Sequence, residues 1–179
     1  MKPDNVDFSI TIEATPGTCP IGEQWGARNI QEGKIPVISC EGACIRGEIA
    51  RLAANMVAKE EPYRRSCHGE MFMVPGSAIA RWMRESEKVV VIDGCFLHCH
   101  GRVMKNLVEE DRLVIFDALA VYKKYTDIFA IEDVPEEERK RLARQVADKV
   151  ISDLRTGSQR PVSSGCCSVL SARGCSLEK

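Results

Sequence analysis

The run Val89-Val90-Val91-Ile92, set between Lys88 and Asp93-Gly94, constrains the fold more than any other feature of this chain. Successive side chains of a strand point to opposite faces. Four β-branched residues in a row therefore give a strand that is apolar on both faces and has to be covered on both. Such a strand belongs at the centre of a sheet. The segment then runs directly into Asp93-Gly94-Cys95-Phe96-Leu97-His98-Cys99-His100, which gathers thiols, imidazoles and a carboxylate where the strand should end.

The surrounding pattern alternates between strand and helix. Residues 34–39 (KIPVIS) read as a strand, and 47–60 as a helix through Ile49, Leu52, Ala53, Met56 and Val57. Residues 70–74 (EMFMV) read as a second strand and 77–86 as a short helix. After the central strand at 88–92, a helix is expected over 99–110 and a fourth strand over 112–119. Residues 135–154 give the clearest helix, with Pro135 at its start, acids in the first turn, and Leu142, Val146, Val150 and Leu154 along one side. Repeated alternation of this kind predicts an α/β fold of three layers, with a mostly parallel sheet between helices, and a Rossmann- or flavodoxin-like strand order 2-1-3-4. Residues 34–155 are the expected domain. Residues 1–33 read as an irregular segment with a possible edge strand at 8–13 and a loop around Cys19. Residues 156–179 read as a flexible tail carrying Cys166, Cys167 and Cys175.

Two strand-to-helix junctions each hold Cys-x-x-x-Cys: Cys40 with Cys44 after strand one, and Cys95 with Cys99 after strand three. In the order 2-1-3-4 these strands are neighbours, and the switch point of the sheet falls between their carboxyl ends. Four sulfurs can then converge on one tetrahedral ion. Cys44 and Cys99 lie at the starts of helices, where the dipole favours thiolate. The charge on such a site is −2, and Gly42, Gly47, Gly94 and Gly101 are expected to let backbone approach it closely. Zinc is the first choice of metal; an iron–sulfur cluster is the alternative with the same ligands.

The segments VISCEGACIRGEIARLAA, SCHGE and VVVIDGCFLHC together resemble the DGC-domain family, named for the Asp-Gly-Cys motif present here at 93–95. The resemblance spans roughly residues 35 to 120. It implies zinc binding, with the four family cysteines falling on Cys40, Cys44, Cys95 and Cys99; it supplies no reaction.

Around these cysteines, Asp93 and Asp117 end neighbouring strands, and Asp93 suits a turn or helix cap as well as a hydrogen bond to a ligand. His98 and His100 flank Cys99; either can replace a sulfur ligand, but a helix turn points them away from Cys95 and Cys99, so a solvated or supporting place at the periphery is expected. Cys67, ahead of the strand expected at 70–74, is placed at the opposite sheet edge unless that strand starts earlier or the loop folds over, and reads as a reactive thiol or an extra ligand. Cys40 to Arg46 also spells Cys-x5-Arg, which looks like the phosphate loop of low-molecular-weight tyrosine phosphatases and related arsenate reductases. Gly47 stands where those families carry Ser or Thr, and no Asp-Pro acid loop follows.

Nine cysteines without an apolar leader point to a cytoplasmic protein whose thiols serve metal or redox chemistry rather than disulfides. A net charge of −1 with few aromatics disfavours nucleic acid, and no apolar run is long enough to span a bilayer. Expected partners are a metal ion and a protein that exchanges it; the sequence leaves the oligomeric state open. The readings are a binding module for metal sensing, storage or transfer, or an enzyme using a metal or a reactive thiolate.

Overall fold

The computed structural model describes residues 7–157. Four strands, β1 (Ile35–Ser39), β2 (Tyr63–Arg65), β3 (Val89–Asp93) and β4 (Leu113–Asp117), form one all-parallel sheet in the order β2-β1-β3-β4. Every residue of β3 is buried, as its apolar faces require. The register sets Ser39 beside Ile92 and Asp93 beside Asp117.

Helices cover both faces. On one lie α2 (Ile45–Val57), α6 (Ala118–Tyr122) and α7 (Glu136–Thr156), packed on Val37, Val90, Ile92 and Val114. On the other lie α1 (Pro20–Gln31), α3 (His68–Met73), α4 (Ala78–Glu85) and α5 (Cys99–Met104), over Ile38, Val89 and Val91. The one-residue alternation between Val37 and Ile38, and between Val90 and Val91, is the strand period dividing the two cores. Among the described residues, no helix is long and apolar enough to cross a membrane.

Four expectations need correction. Residues 70–74 are not a strand: His68–Met73 is α3, and the second strand is the shorter Tyr63–Arg65. Glu-Met-Phe-Met contains no β-branched residue, and Glu70 sits in the first turn of a helix capped by Cys67. Residues 8–13 form no strand. Cys19 is not in a loop but caps α1, with Pro20 in its first turn and the Cys19 Sγ accepting the Gly22 N–H at 3.4 Å. The helix expected over 99–110 stops at Met104 and gives way to turns and a 3-10 turn at Glu110–Arg112. Glu109, Glu110 and Asp111 would set three negative charges on a helix C-terminus, where the dipole opposes them. The tail cysteines Cys166, Cys167 and Cys175 lie outside the described residues.

Helix α1 is held against α4 by close backbone approach at Gly26. A Cβ there would stand 2.5 Å from the Ala78 carbonyl carbon and 2.6 Å from the Ile79 nitrogen. Gly26→Ala is therefore expected to destabilise the fold by about 1–3 kcal/mol, although alanine by itself favours a helix by about 1 kcal/mol. Urea denaturation reads the loss directly; an unchanged or raised midpoint would show that α1 moves away freely.

Candidate metal centre

Because β1 and β3 are adjacent and parallel, both Cys-x-x-x-Cys turns leave the same edge of the sheet. The Cys40 N–H donates to the Ile92 carbonyl at 2.9 Å, which extends the β1–β3 pairing by one residue and fixes where Cys40 leaves the strand. The turns also touch each other. A Cβ on Gly47 would lie 2.2 Å from the Gly42 oxygen, and one on Gly94 would lie 2.9 Å from the Arg46 carbonyl. Gly94 thus lets one turn meet the other, and Gly47 lets the start of α2 fold back on the loop that precedes it.

Three donors converge at this edge. Cys40, Asp93 and His100 each offer a ligand atom, all within 4.8 Å of one another. Asp93 is 1% exposed. Its Oδ1 accepts the His100 N–H at 3.1 Å and its Oδ2 accepts the Gly101 N–H at 2.9 Å. The carboxylate thus caps the first turn of α5 and fixes the backbone at His100, the helix-cap role that the sequence left open. The His100 Nδ1 lies 3.7 Å from the Asp93 Oδ1, too far for a hydrogen bond, and is buried with no partner. His100 is accordingly part of the cluster and not at its periphery. A nitrogen, a sulfur and a carboxylate oxygen, with the nitrogen unpartnered, suit a borderline ion such as zinc.

The Cys40 thiol is pushed above its ordinary pKa by burial, and the nearby charges of Asp93 and Cys99 add to the effect. The N–H groups of Gly42 and Gly94 act the other way, the first at 3.4 Å from the sulfur. Cys44 is the N-cap of α2 and, like Cys95, is half-buried; Cys99 opens α5 and is exposed. These three are not members of the converging group of Cys40, Asp93 and His100. His98 caps α5 in the left-handed region, φ 45°, a conformation His tolerates better than most residues, and its Nε2 is buried without a partner. Asp117 caps α6, its Oδ1 accepting the Ala120 N–H at 3.2 Å.

The third strand end was misplaced by the sequence reading. Since β2 ends at Arg65, Cys67 and His68 emerge at the same edge as the cluster, not the opposite one. Cys67 is exposed. The His68 ring stands edge-on to His100 with centroids 5.1 Å apart, and Phe72 packs within 5.7 Å of His68. Burial, with the neighbouring His100 adding to it, lowers the His68 pKa; Glu41 opposes the shift. Glu41 is itself fixed by Ser39 Oγ at 2.7 Å and by Arg65 Nη2 at 3.1 Å. His68 was legible only to a reading that started a helix at Cys67, where Glu70 three residues on is the available signal.

Tyr122 closes α6 in the core beneath α2 and α7. Its phenol is buried, which raises its pKa, with Cys44, Asp117 and Cys95 adding to the shift and Arg46 opposing it. Arg46 gives its Nη2 to the Thr126 carbonyl at 2.9 Å and has no hydrogen bond to Cys40. The arrangement thus lacks the arginine-over-thiolate geometry that the Cys-x5-Arg reading needs.

No match was found among curated proteins or among solved structures. The DGC domain matches residues 36–146, well over half of the chain and the whole span from β1 into α7. With both cysteine turns, the Asp-Gly-Cys motif and the converging donors inside that span, the chain belongs to the DGC-domain family.

Proposed function

We propose that this protein binds zinc at the carboxyl edge of its sheet through Cys40, Cys44, Cys95 and Cys99, and serves in metal sensing, storage or transfer. The observation that carries metal binding at this edge is the convergence of Cys40, Asp93 and His100 at the switch point between β1 and β3, and the four-cysteine ligand set rests on the two Cys-x-x-x-Cys turns that leave the same edge. The other sulfurs belong to the turns that open α2 and α5 at the same sheet edge as Cys40. Ligand atoms on a tetrahedral zinc stand roughly 3.3–3.8 Å apart. The converging donors need to close by only about an ångström. Bound zinc supplies a redox-silent Lewis acid. Asp93, already committed to two backbone N–H groups, holds His100 within reach of the ion bound by Cys40. Phe96 and Leu97, exposed in the turn between Cys95 and Cys99, support release to a protein partner.

The mixed sulfur, nitrogen and oxygen group favours a second reading, in which Cys40, His100 and Asp93 hold the metal and a fourth position stays open for water or substrate. Cobalt(II) substitution separates the two. Four thiolates predict intense sulfur-to-cobalt charge transfer and strong tetrahedral ligand-field bands. One thiolate with solvent predicts weak bands and a charge-transfer intensity near a quarter of that. Visible absorption of anaerobically purified protein that vanishes on reduction would instead favour an iron–sulfur cluster.

A further inference from the structure

We infer that the cavity at the amino end of the sheet is a second ligand site, built for a small organic ammonium ion with an apolar body. It lies at the edge opposite the metal centre and does not depend on which residues hold the metal.

The cavity has a volume of about 380 Å³, the size of a small-molecule site. Lys34 and Ile35 border it at the start of β1, and Ser86 and Glu87 border it just ahead of β3. Ile30, Ile35 and Trp82 supply apolar wall. The frame is tied in place. The Trp82 indole N–H donates to the Lys34 carbonyl at 2.7 Å, and Arg112 Nη1 donates to the Ser86 carbonyl at 3.2 Å and to that of Arg84. The Lys34 N–H closes on the Asn29 carbonyl at 2.9 Å.

One lining group lacks a donor. Asn29 is fully buried, and its Nδ2 is spent on the Trp25 carbonyl at 2.7 Å. Its Oδ1 is buried with no partner. An acceptor in that state calls for an N–H or O–H, and an anionic ligand cannot supply one.

The charge around the cavity selects the kind of donor. Asn29 and Ile30 belong to the last turn of α1, and Trp82 and Glu85 to the last turn of α4. Two helix C-termini, each with partial negative charge, therefore meet here. Glu85 and Glu87 add two exposed carboxylates. Among the described residues, no ion pair reaches Glu85, and Glu87 meets only Lys88, at 3.8 Å. The cations of the two last turns are engaged elsewhere and do not line the cavity: Arg28 pairs with Glu32 at 3.6 Å, and Arg84 donates to the Pro75 carbonyl at 2.7 Å. Lys34 does line it, but its Nζ is matched by Glu61 at 2.8 Å and Glu32 at 3.8 Å. The surplus is negative, so a cationic donor fits where a neutral one serves Asn29 alone. The apolar wall calls for a hydrocarbon body behind the charge.

The experiment uses the full chain. The probe is 2-phenylethylammonium, and 2-phenylethanol is its neutral counterpart. Each is titrated by calorimetry, and backbone amide NMR shifts locate the contact. The ammonium is expected to bind saturably and about tenfold tighter than the alcohol, moving the signals of Gly33, Lys34 and Ser86 and leaving those of Gly94 and Gly101 in place. Raised salt should weaken the ammonium more than the alcohol. The double variant Glu85→Gln with Glu87→Gln changes two exposed side chains, so the fold should be kept. It should weaken the ammonium about 3–10-fold and leave the alcohol within about twofold. Asn29→Leu should weaken both probes, with a thermal melt to confirm folding; the glutamine variant carries the test if that melt is lost. No saturable binding of the ammonium up to about 10 mM would mean that the cavity holds water only. Equal affinity for the two probes, or an unchanged ammonium affinity in the glutamine variant, would overturn the cation assignment. Shifts centred on Gly94 and Gly101 would place the amine at the metal centre and overturn the site.

Discussion

Cys40→Ser is expected to abolish zinc loading, with affinity falling by more than about 100-fold, beyond the range for residues that only support a ligand. Cys40 is the one residue common to every ligand set the site can offer. It belongs to the four cysteines of the two turns, and it is the sulfur in the group with Asp93 and His100. Serine preserves size but offers a hard hydroxyl that does not ionise near neutral pH, so the soft anionic ligand is lost. Cys40 is only half-buried, and its backbone bond to Ile92 is independent of the side chain, so the zinc-free fold should melt close to wild type. Loss of metal without loss of fold is the expected pattern in elemental analysis and thermal melting. Cys67→Ser is the control: Cys67 is exposed and outside the converging group, and its loss should leave zinc stoichiometry intact. Retention of a full equivalent of zinc by Cys40→Ser would remove the residue on which both ligand sets depend. Zinc displaces a proton from a thiol that burial holds protonated, so affinity in the wild type should climb with pH.

What the sequence revealed of this site follows from which signals are local. The β3 run and the two Cys-x-x-x-Cys turns are contiguous in the chain. Burial of Val89–Ile92 forces centrality, and the α/β alternation implies a parallel sheet; with the order 2-1-3-4 expected for such folds, which the structure has, Cys40 and Cys95 come to one edge. The second strand was illegible because Tyr-Arg-Arg is short and polar, only half-buried at the sheet edge, and carries no apolar period. Misplacing it sent Cys67 and His68 to the wrong end of the sheet. Helix α1 was hidden by Gly22 and Gly26, which lower helix propensity; Gly26 is required for the approach to Ala78, a contact no local pattern can announce. His100 was expected to point away from Cys95 and Cys99 because of the helix turn that begins there. Its actual position depends on Asp93 capping α5 through two backbone N–H groups, a bond across seven and eight residues.

The largest effect on stability is expected at the other end of the sheet. Trp82, on α4, is 1% exposed and packs with Ile38, Val89, Val91 and Met83 beneath the central strands. Its indole N–H donates to the Lys34 carbonyl at 2.7 Å, tying α4 to the residue that precedes β1. Trp82→Ala removes the biggest side chain of that core and leaves a cavity whose walls are sheet and helix backbone, which close in poorly. The expected cost is about 3–5 kcal/mol, to which the unpartnered Lys34 carbonyl adds. Against a total of roughly 5–15 kcal/mol for a domain, this brings the fold near its threshold. Trp82→Phe keeps most of the apolar contact and loses mainly the hydrogen bond, so it should cost about 1–2 kcal/mol. Urea denaturation of the zinc-free chain measures both. Because Trp82 lies on the side of the sheet away from the turns, its loss should act independently of the metal. The double variant Trp82→Ala with Cys40→Ser should then add to within about 0.5 kcal/mol in the zinc-free state. A cost below about 1 kcal/mol for Trp82→Ala would mean that this core relaxes around the deletion, and that β1 and β3 are held together chiefly from the α2 and α7 face.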